Sequence, residues 1–63
     1  MSGPMLRRLR RDRRISQDEL ATEVQVTRRY LSQLEAGLQT NPSRLVRQRL
    51  AKALQVTVGE LVE

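Results

Sequence analysis

The stretch Ile15–Gly37, ISQDELATEVQVTRRYLSQLEAG, contains two short amphipathic segments joined by a tight turn. Ser16 and Glu19 match an S-x-x-E capping box, in which each side chain accepts a hydrogen bond from the other residue's backbone N–H. Ile15 precedes the cap and Leu20 lies at the fourth helical position, which is the spacing of a hydrophobic staple. The sequence therefore predicts a helix that begins next to Ser16 and buries one face.

The second segment predicts a helix over about residues 27–36. Thr27 suits the N-cap, and Gly37 suits the left-handed position that follows a helix. Leu31 and Leu34 mark its buried side, and successive residues are rotated by about 100° around a helix axis. The side chains that then face outward, or flank the outward face, are Arg28, Arg29, Tyr30, Ser32 and Gln33.

These two helices meet the requirements of a helix-turn-helix motif. Ala21 is small enough for the second helix to cross closely, and Val26 follows the turn as an apolar anchor for the crossing angle. The buried leucines leave the opposite face of the second helix free. In such motifs the second helix lies against nucleic acid.

The remaining sequence predicts supporting helices. Residues 1–4 are expected to form a flexible arm because Gly3 and Pro4 are helix breakers, and residues 5–63 are expected to form the domain. Whether Met1 or Met5 is the native start stays open. A first helix with Leu6 and Leu9 on its buried side, a fourth helix after Ser43 and a short fifth helix after a second capping box, Thr57–Glu60, complete an all-α, compact five-helix domain.

Composition narrows the function classes. The 63 residues are enough for one domain, and they contain neither Cys nor His. This argues against disulfides, thiolate chemistry and the usual zinc sites, so we predict no enzyme, no catalytic residues, no metal, no cofactor and no small-molecule ligand. No signal peptide and no apolar run near the roughly 20 residues of a membrane span is visible, so the cytoplasm is the expected location.

The net charge is +5, and six arginines lie between Leu6 and Ile15 with Asp12 as the only acidic residue among them. An excess of positive charge at one end of a domain favours an oriented encounter with a polyanion. The alternative is a solvated helical face, since Arg is a good helix former.

The segments SQDELATEVQVTRRYLSQLEAG, NPS and LAKALQVTVGELVE resemble the Cro/phage-repressor, or Xre, family of helix-turn-helix proteins from about residue 6 to residue 61. The resemblance implies a sequence-specific double-stranded DNA-binding transcriptional regulator, a repressor most simply, that reads the major groove with helix 3 and binds a two-fold symmetric operator as a dimer. This chain carries Gln25 and Gln55 where members usually carry Gly. A left-handed Gln at either place would be strained.

The resemblance also assigns residues that contact DNA. Arg can pair with two acceptors of guanine and Gln with adenine, so Arg28, Arg29 and Gln33, with Ser32 as a weaker candidate, are expected to contact bases. Phosphate contact alone remains the alternative for the two arginines. The residues expected to contact phosphates are Gln17, Thr27, Tyr30, Thr40, Asn41, Ser43 and Arg44. Gln17 could instead be an ordinary solvated residue, and Tyr30 could pack against helix 2 or touch a thymine methyl.

Two further sets of residues complete the predicted sites. By the family resemblance, Arg10 is expected to pair with Glu35 and tie helix 1 to the end of helix 3. The C-terminal end is more apolar than a short helix needs, which suggests a weak homodimer that assembles on DNA. The expected dimer-interface residues are Val56, Val58, Leu61 and Val62.

The rival hypothesis is an antitoxin or adaptor protein that uses the same fold mainly for protein–protein contact. Antitoxins of this fold usually carry extra segments that grip a toxin, and none is visible in the 63 residues.

Overall fold

A computed structural model describes residues 1–61 of the chain, and within that range every regular element is a helix. The prediction of an all-α, five-helix domain is confirmed. The helices are α1 (Gly3–Asp12), α2 (Gln17–Val24), α3 (Arg28–Ala36), α4 (Arg44–Leu54) and α5 (Val58–Leu61). None of these helices is long and apolar enough to cross a membrane.

All five helices contribute to one aliphatic core. Helix α1 packs on α3, α2 packs on both α3 and α4, and α5 packs on α4. The buried apolar residues are Leu6, Leu20, Ala21, Val24, Leu31, Leu34, Leu50, Ala51, Leu54 and Leu61. Because each helix is too short to be stable alone in water, this shared apolar contact is what holds the helices in place.

The predicted starts of α2, α3 and α4 are confirmed. The Ser16 hydroxyl accepts from the Glu19 backbone N–H at 3.0 Å, and the Ser16 backbone N–H donates to Glu19 Oε1 at 3.1 Å. Hydrogen bonding to the Ser16 backbone, and after it to the Ser16 side chain, lowers the pKa of the Glu19 carboxyl. Thr27 and Ser43 cap α3 and α4 in the same way, each with its hydroxyl accepting a backbone N–H three residues later.

The second capping box differs from the prediction. The Glu60 backbone N–H donates to the Thr57 hydroxyl at 3.3 Å, as expected. That hydroxyl also donates a hydrogen bond to Glu60 Oε1 at 3.4 Å, so the carboxylate accepts from the hydroxyl and not from the backbone. In the range 1–61, no bond from the Thr57 backbone N–H to Glu60 completes the box. Helix α5 is correspondingly a single turn.

The prediction of a flexible arm at residues 1–4 is wrong. Helix α1 begins at Gly3, Pro4 lies in its first turn, and the Ser2 hydroxyl accepts from the Met5 backbone N–H at 3.2 Å. Proline is compatible with a first helical turn, which has no use for its missing N–H. The Ser2 backbone N–H also donates to the Leu61 carbonyl at 3.1 Å, so the two ends of the fold are joined.

Left-handed backbone ends α2, α3 and α4, and among these three places only the one after α3 has a glycine, Gly37. Gln25 has φ 62° and ψ 44° after α2, and Gln55 has φ 58° and ψ 42° after α4. Arg14, between α1 and α2, has φ 55° and was not predicted to be left-handed. Within residues 1–61, three residues with a Cβ therefore occupy a conformation that favours glycine.

Candidate nucleic-acid interface

The outward face of α3 is open to solvent. Arg28, Arg29 and Ser32 are exposed, whereas Leu31 and Leu34 are fully or almost fully buried. Gln33 is half-buried at the edge of the exposed face. The helix therefore presents hydrogen-bonding side chains on the side that its packing leaves free.

Tyr30 lies between the two sides of α3. Its side chain is half-buried and packs against the core, which is the structural role that the sequence left open for it. Its backbone N–H donates to the hydroxyl of Thr27 at 3.0 Å. Thr27 is exposed and caps α3, and the same hydroxyl is expected to contact phosphate.

Arg10 and Glu35 join α1 to α3. Arg10 Nε donates to Glu35 Oε2 at 2.7 Å, and the Nη2 of the same arginine donates to Oε1 at 3.1 Å. Arg10 Nη1 donates to the Ile15 carbonyl at 2.8 Å. All three nitrogens of this guanidinium are thus bonded within the protein.

Gln17 belongs to the same network. Its Nε2 donates to Glu35 Oε1 at 3.1 Å, so Glu35 receives hydrogen bonds from α1 and α2 while it lies on α3. The Gln17 side chain is half-buried and not freely solvated. The backbone N–H groups of Gln17 and Asp18 lie in the first turn of α2, where no intrahelical acceptor is available.

Arg28 and Asp18 form an ion pair across the helix-turn-helix that the sequence did not predict. Arg28 Nε lies 3.8 Å from Asp18 Oδ1, and the two side chains are 66% and 72% exposed. A pair this long and this exposed contributes little to stability. Helical periodicity gave no signal for it, because the two residues lie on different helices.

The second group of expected phosphate contacts lies around the start of α4. Thr40, Asn41 and Arg44 are exposed, and Pro42 between them is buried. Ser43 is exposed and caps α4 through its hydroxyl. Among residues 1–61, no side-chain hydrogen bond or ion pair connects this group to α3, so it forms a separate site along the chain.

The expected dimer surface is only partly exposed. Leu61, the last residue of α5, has its side chain buried in the core, so its assignment to a dimer interface is wrong. Val56 is half-buried against the core, and Val58 is 37% exposed. The expected contact at Val62 lies outside the described residues.

Known proteins resemble both the sequence and this fold. A sequence model described as "Helix-turn-helix" matches residues 6–61. The HTH-type transcriptional regulators SinR and SlrR of Bacillus subtilis (strain 168) are each 35% identical to the chain over all of its 63 residues. The chain spans 57% of the length of SinR and 41% of the length of SlrR.

Solved structures of helix-turn-helix proteins also resemble this fold. A crystal structure of SinR, the master regulator for biofilm formation, in complex with DNA superposes with a TM-score of 0.93 at 35% identity, and covers all of both chains. The restriction-modification controller protein C.AhdI from Aeromonas hydrophila gives a TM-score of 0.87 at 36% identity, over 94% of this chain and 88% of that one. The chain therefore belongs to the helix-turn-helix family of the Cro/phage-repressor, or Xre, type.

Proposed function

We propose that this chain binds double-stranded DNA sequence-specifically and regulates transcription, most simply as a repressor that covers a promoter. The observation that carries the proposal is the face of α3, where Arg28, Arg29 and Ser32 are exposed over a fully packed helix-turn-helix. The similarity to SinR, whose solved structure contains DNA, supports it. The proposal includes no catalytic step. The chain would act in the cytoplasm, which in bacteria contains the chromosome.

In this mechanism the charge of the protein acts first. A net charge of +5 attracts the chain to the DNA backbone and permits movement along it. Helix α3 then enters the major groove, where Arg28, Arg29 and Gln33 contact base edges and Ser32 adds a weaker contact. A good bidentate contact discriminates against the wrong base by about 1–3 kcal/mol.

Phosphate contacts set the orientation of α3. Gln17 and the free N–H groups at the start of α2 hold one strand, since such groups bind anions well. Thr40, Asn41, Ser43 and Arg44 hold the backbone at the start of α4, while Thr27 and Tyr30 contact it beside α3. Two chains bound to a two-fold operator would place their α3 helices about 34 Å apart.

The experiment that tests this function is selection of bound sequences from random duplex DNA with the full chain. We expect an enriched motif with two inverted half-sites about one helical turn apart. The triple variant Arg28→Ala, Arg29→Ala, Gln33→Ala should lose the motif, and the control Gln48→Ala, on the exposed side of α4, should retain it.

The outcomes separate this function from the rival one. An antitoxin or adaptor that uses the fold mainly for protein contact would enrich no sequence. A single half-site would support DNA binding and would overturn the dimer. Analytical ultracentrifugation that finds a tight dimer without DNA would overturn the proposal that the dimer is weak and assembles on DNA.

A further inference from the structure

The position of α1 relative to α3 is set by a close approach of backbones. Gly3 is buried against the end of α3, where a Cβ atom would lie 2.5 Å from the carbonyl oxygens of Leu34 and Glu35. Arg7 and Arg11 follow Gly3 at intervals of four residues, so the three residues share one face of α1. The arginines on this face are therefore held beside α3 and the start of α2.

A groove of about 330 Å³ opens at this place. We call it the α1–α2 groove, and its lining consists of Arg7, Arg10, Arg11, Ser16, Gln17, Asp18 and Arg28. A smaller adjoining cavity of about 150 Å³ is lined by Arg7, Gln17 and Ser32 together with Glu35 and Ala36. Arg7 thus lies between the first turn of α2 and the exposed face of α3.

The charges of the α1–α2 groove are unequally compensated. Arg10 is neutralised by Glu35 at 2.7 Å, and Arg28 has Asp18 at 3.8 Å. Arg7 and Arg11 are exposed and form no ion pair with the acids of residues 1–61. The groove therefore offers two uncompensated guanidinium groups.

We infer that the α1–α2 groove binds a phosphate of the DNA backbone, with Arg7 and Arg11 as its charged donors. This inference rests on the proposed function, and it adds helix α1 to the DNA-binding surface. Guanidinium groups pair with phosphate oxygens through parallel N–H donors. Such a contact fixes the orientation of the chain on DNA and reads no sequence.

The test compares two double variants that remove the same charge. Arg7→Gln/Arg11→Gln empties the groove of its free guanidinium groups. The matched control, Arg49→Gln/Lys52→Gln, lies on α4 in a different cavity. All four side chains are exposed or half-buried, and circular dichroism verifies that both variants are folded.

The first measurement is the affinity for selected duplex DNA against salt concentration. Each neutralised phosphate that is lost makes the slope of log affinity against log salt less negative by about 1, so we expect a change of about 1 per bound chain for the groove variant. Affinity for selected and random DNA should fall by similar factors. The control should keep the slope of the unmodified chain, because distant charges are screened.

The second measurement replaces single backbone phosphates of the selected duplex with uncharged methylphosphonates. One position in each half-site should weaken binding of the unmodified chain and leave the groove variant unaffected. Equal salt slopes and equal phosphate sensitivities for the groove variant and its control would overturn the inference while DNA binding stands. Failure of the unmodified chain to bind any duplex would overturn the proposed function and this inference with it.

Discussion

Arg10 on α1 and Glu35 on α3 meet side by side, through two nearly parallel hydrogen bonds of 2.7 and 3.1 Å. The two residues are only 8% and 6% exposed, although both are charged. Glu35 also accepts from Gln17, so one carboxylate connects three helices. The buried pair thus sets where the start of α2 lies relative to α3.

Removal of one residue of the Arg10–Glu35 pair should strongly destabilise the fold. Glu35→Leu leaves the Arg10 guanidinium buried without its counter-charge, for which a loss of about 3–5 kcal/mol in the free energy of unfolding is usual. The double variant Arg10→Met/Glu35→Leu should lose much less than the sum of the two single changes. Urea denaturation, with sucrose added to keep the single variants folded, measures the cycle. Additive losses would show that the two residues act independently.

Gly3→Ala should destabilise the fold although alanine is the better helix former. A Cβ at this position would meet the carbonyl oxygens of Leu34 and Glu35 at 2.5 Å, and these backbone atoms can give way only if α1 moves. We expect a loss of about 1–3 kcal/mol, as for other overpacked sites.

Gly59→Ala is the matched control for that change. Its nearest neighbour would be the Thr57 hydroxyl at 3.8 Å, which is ordinary contact, so we expect no loss and a gain of up to about 1 kcal/mol. Thermal unfolding measures both variants. A melting temperature of Gly3→Ala equal to that of the unmodified chain would contradict the close approach.

The left-handed glutamines predict two stabilising substitutions. Gln25→Gly and Gln55→Gly each relieve about 1–2 kcal/mol of backbone strain, and each gives back part of this through the more flexible unfolded chain. The net gain should be about 0.5–1 kcal/mol for each. Arg14→Gly should behave in the same way, since its φ is 55°.

The control for these substitutions has the opposite sign. Gln48→Gly places glycine in the exposed interior of α4 and should lower stability by about 0.5–1 kcal/mol. Urea midpoints of the four variants measure the comparison. Lower midpoints for Gln25→Gly and Gln55→Gly would show that their left-handed backbone carries no strain.

The capping box predicts a dependence of stability on pH. Hydrogen bonds from Ser16 lower the pKa of Glu19, so the folded state favours the ionised carboxylate. The stabilisation is present above the pKa of Glu19 in the unfolded chain, and it is lost as the pH falls through the lower pKa of the folded state.

Glu19→Gln tests that dependence, because Gln can still accept the Ser16 N–H but carries no charge. The unmodified chain should melt at a higher temperature than Glu19→Gln at neutral pH. The difference should shrink through the acid range and vanish once Glu19 is protonated in both states. A difference that stays constant down to low pH would contradict the role of the charge.

Local chemistry made much of this fold predictable. Ser16, Thr27 and Gly37 act within one helical turn of their own position, so their patterns predict helix ends without knowledge of the rest of the chain. The periodic leucines then show which face of each helix is buried.

The wrong predictions concern residues that contact distant parts of the chain. Gly3 reads as a helix breaker, yet it is needed for close packing of α1 on α3. Leu61 was assigned to an exposed apolar surface, yet its side chain is buried in the core. Arg47, for which the sequence made no prediction, shares the core side of α4 with Leu50 and Leu54, and its Nε is buried without a hydrogen-bond partner within residues 1–61. No pattern of neighbouring residues reveals such tertiary contacts.

Base reading and phosphate contact should respond differently to substitution. Gln33→Ala removes an amide at the edge of the exposed face of α3, and it should relax sequence preference at one or two base pairs by about 1–3 kcal/mol. Arg44→Ala removes an exposed charge at the start of α4, and it should weaken binding to every sequence alike. Titration of each variant with the selected duplex and with random duplex measures both effects, with Gln48→Ala as the control. Equal losses of Gln33→Ala on the two duplexes would remove Gln33 from the base-reading residues, and a loss of Arg44→Ala confined to the selected duplex would make Arg44 a reader of sequence.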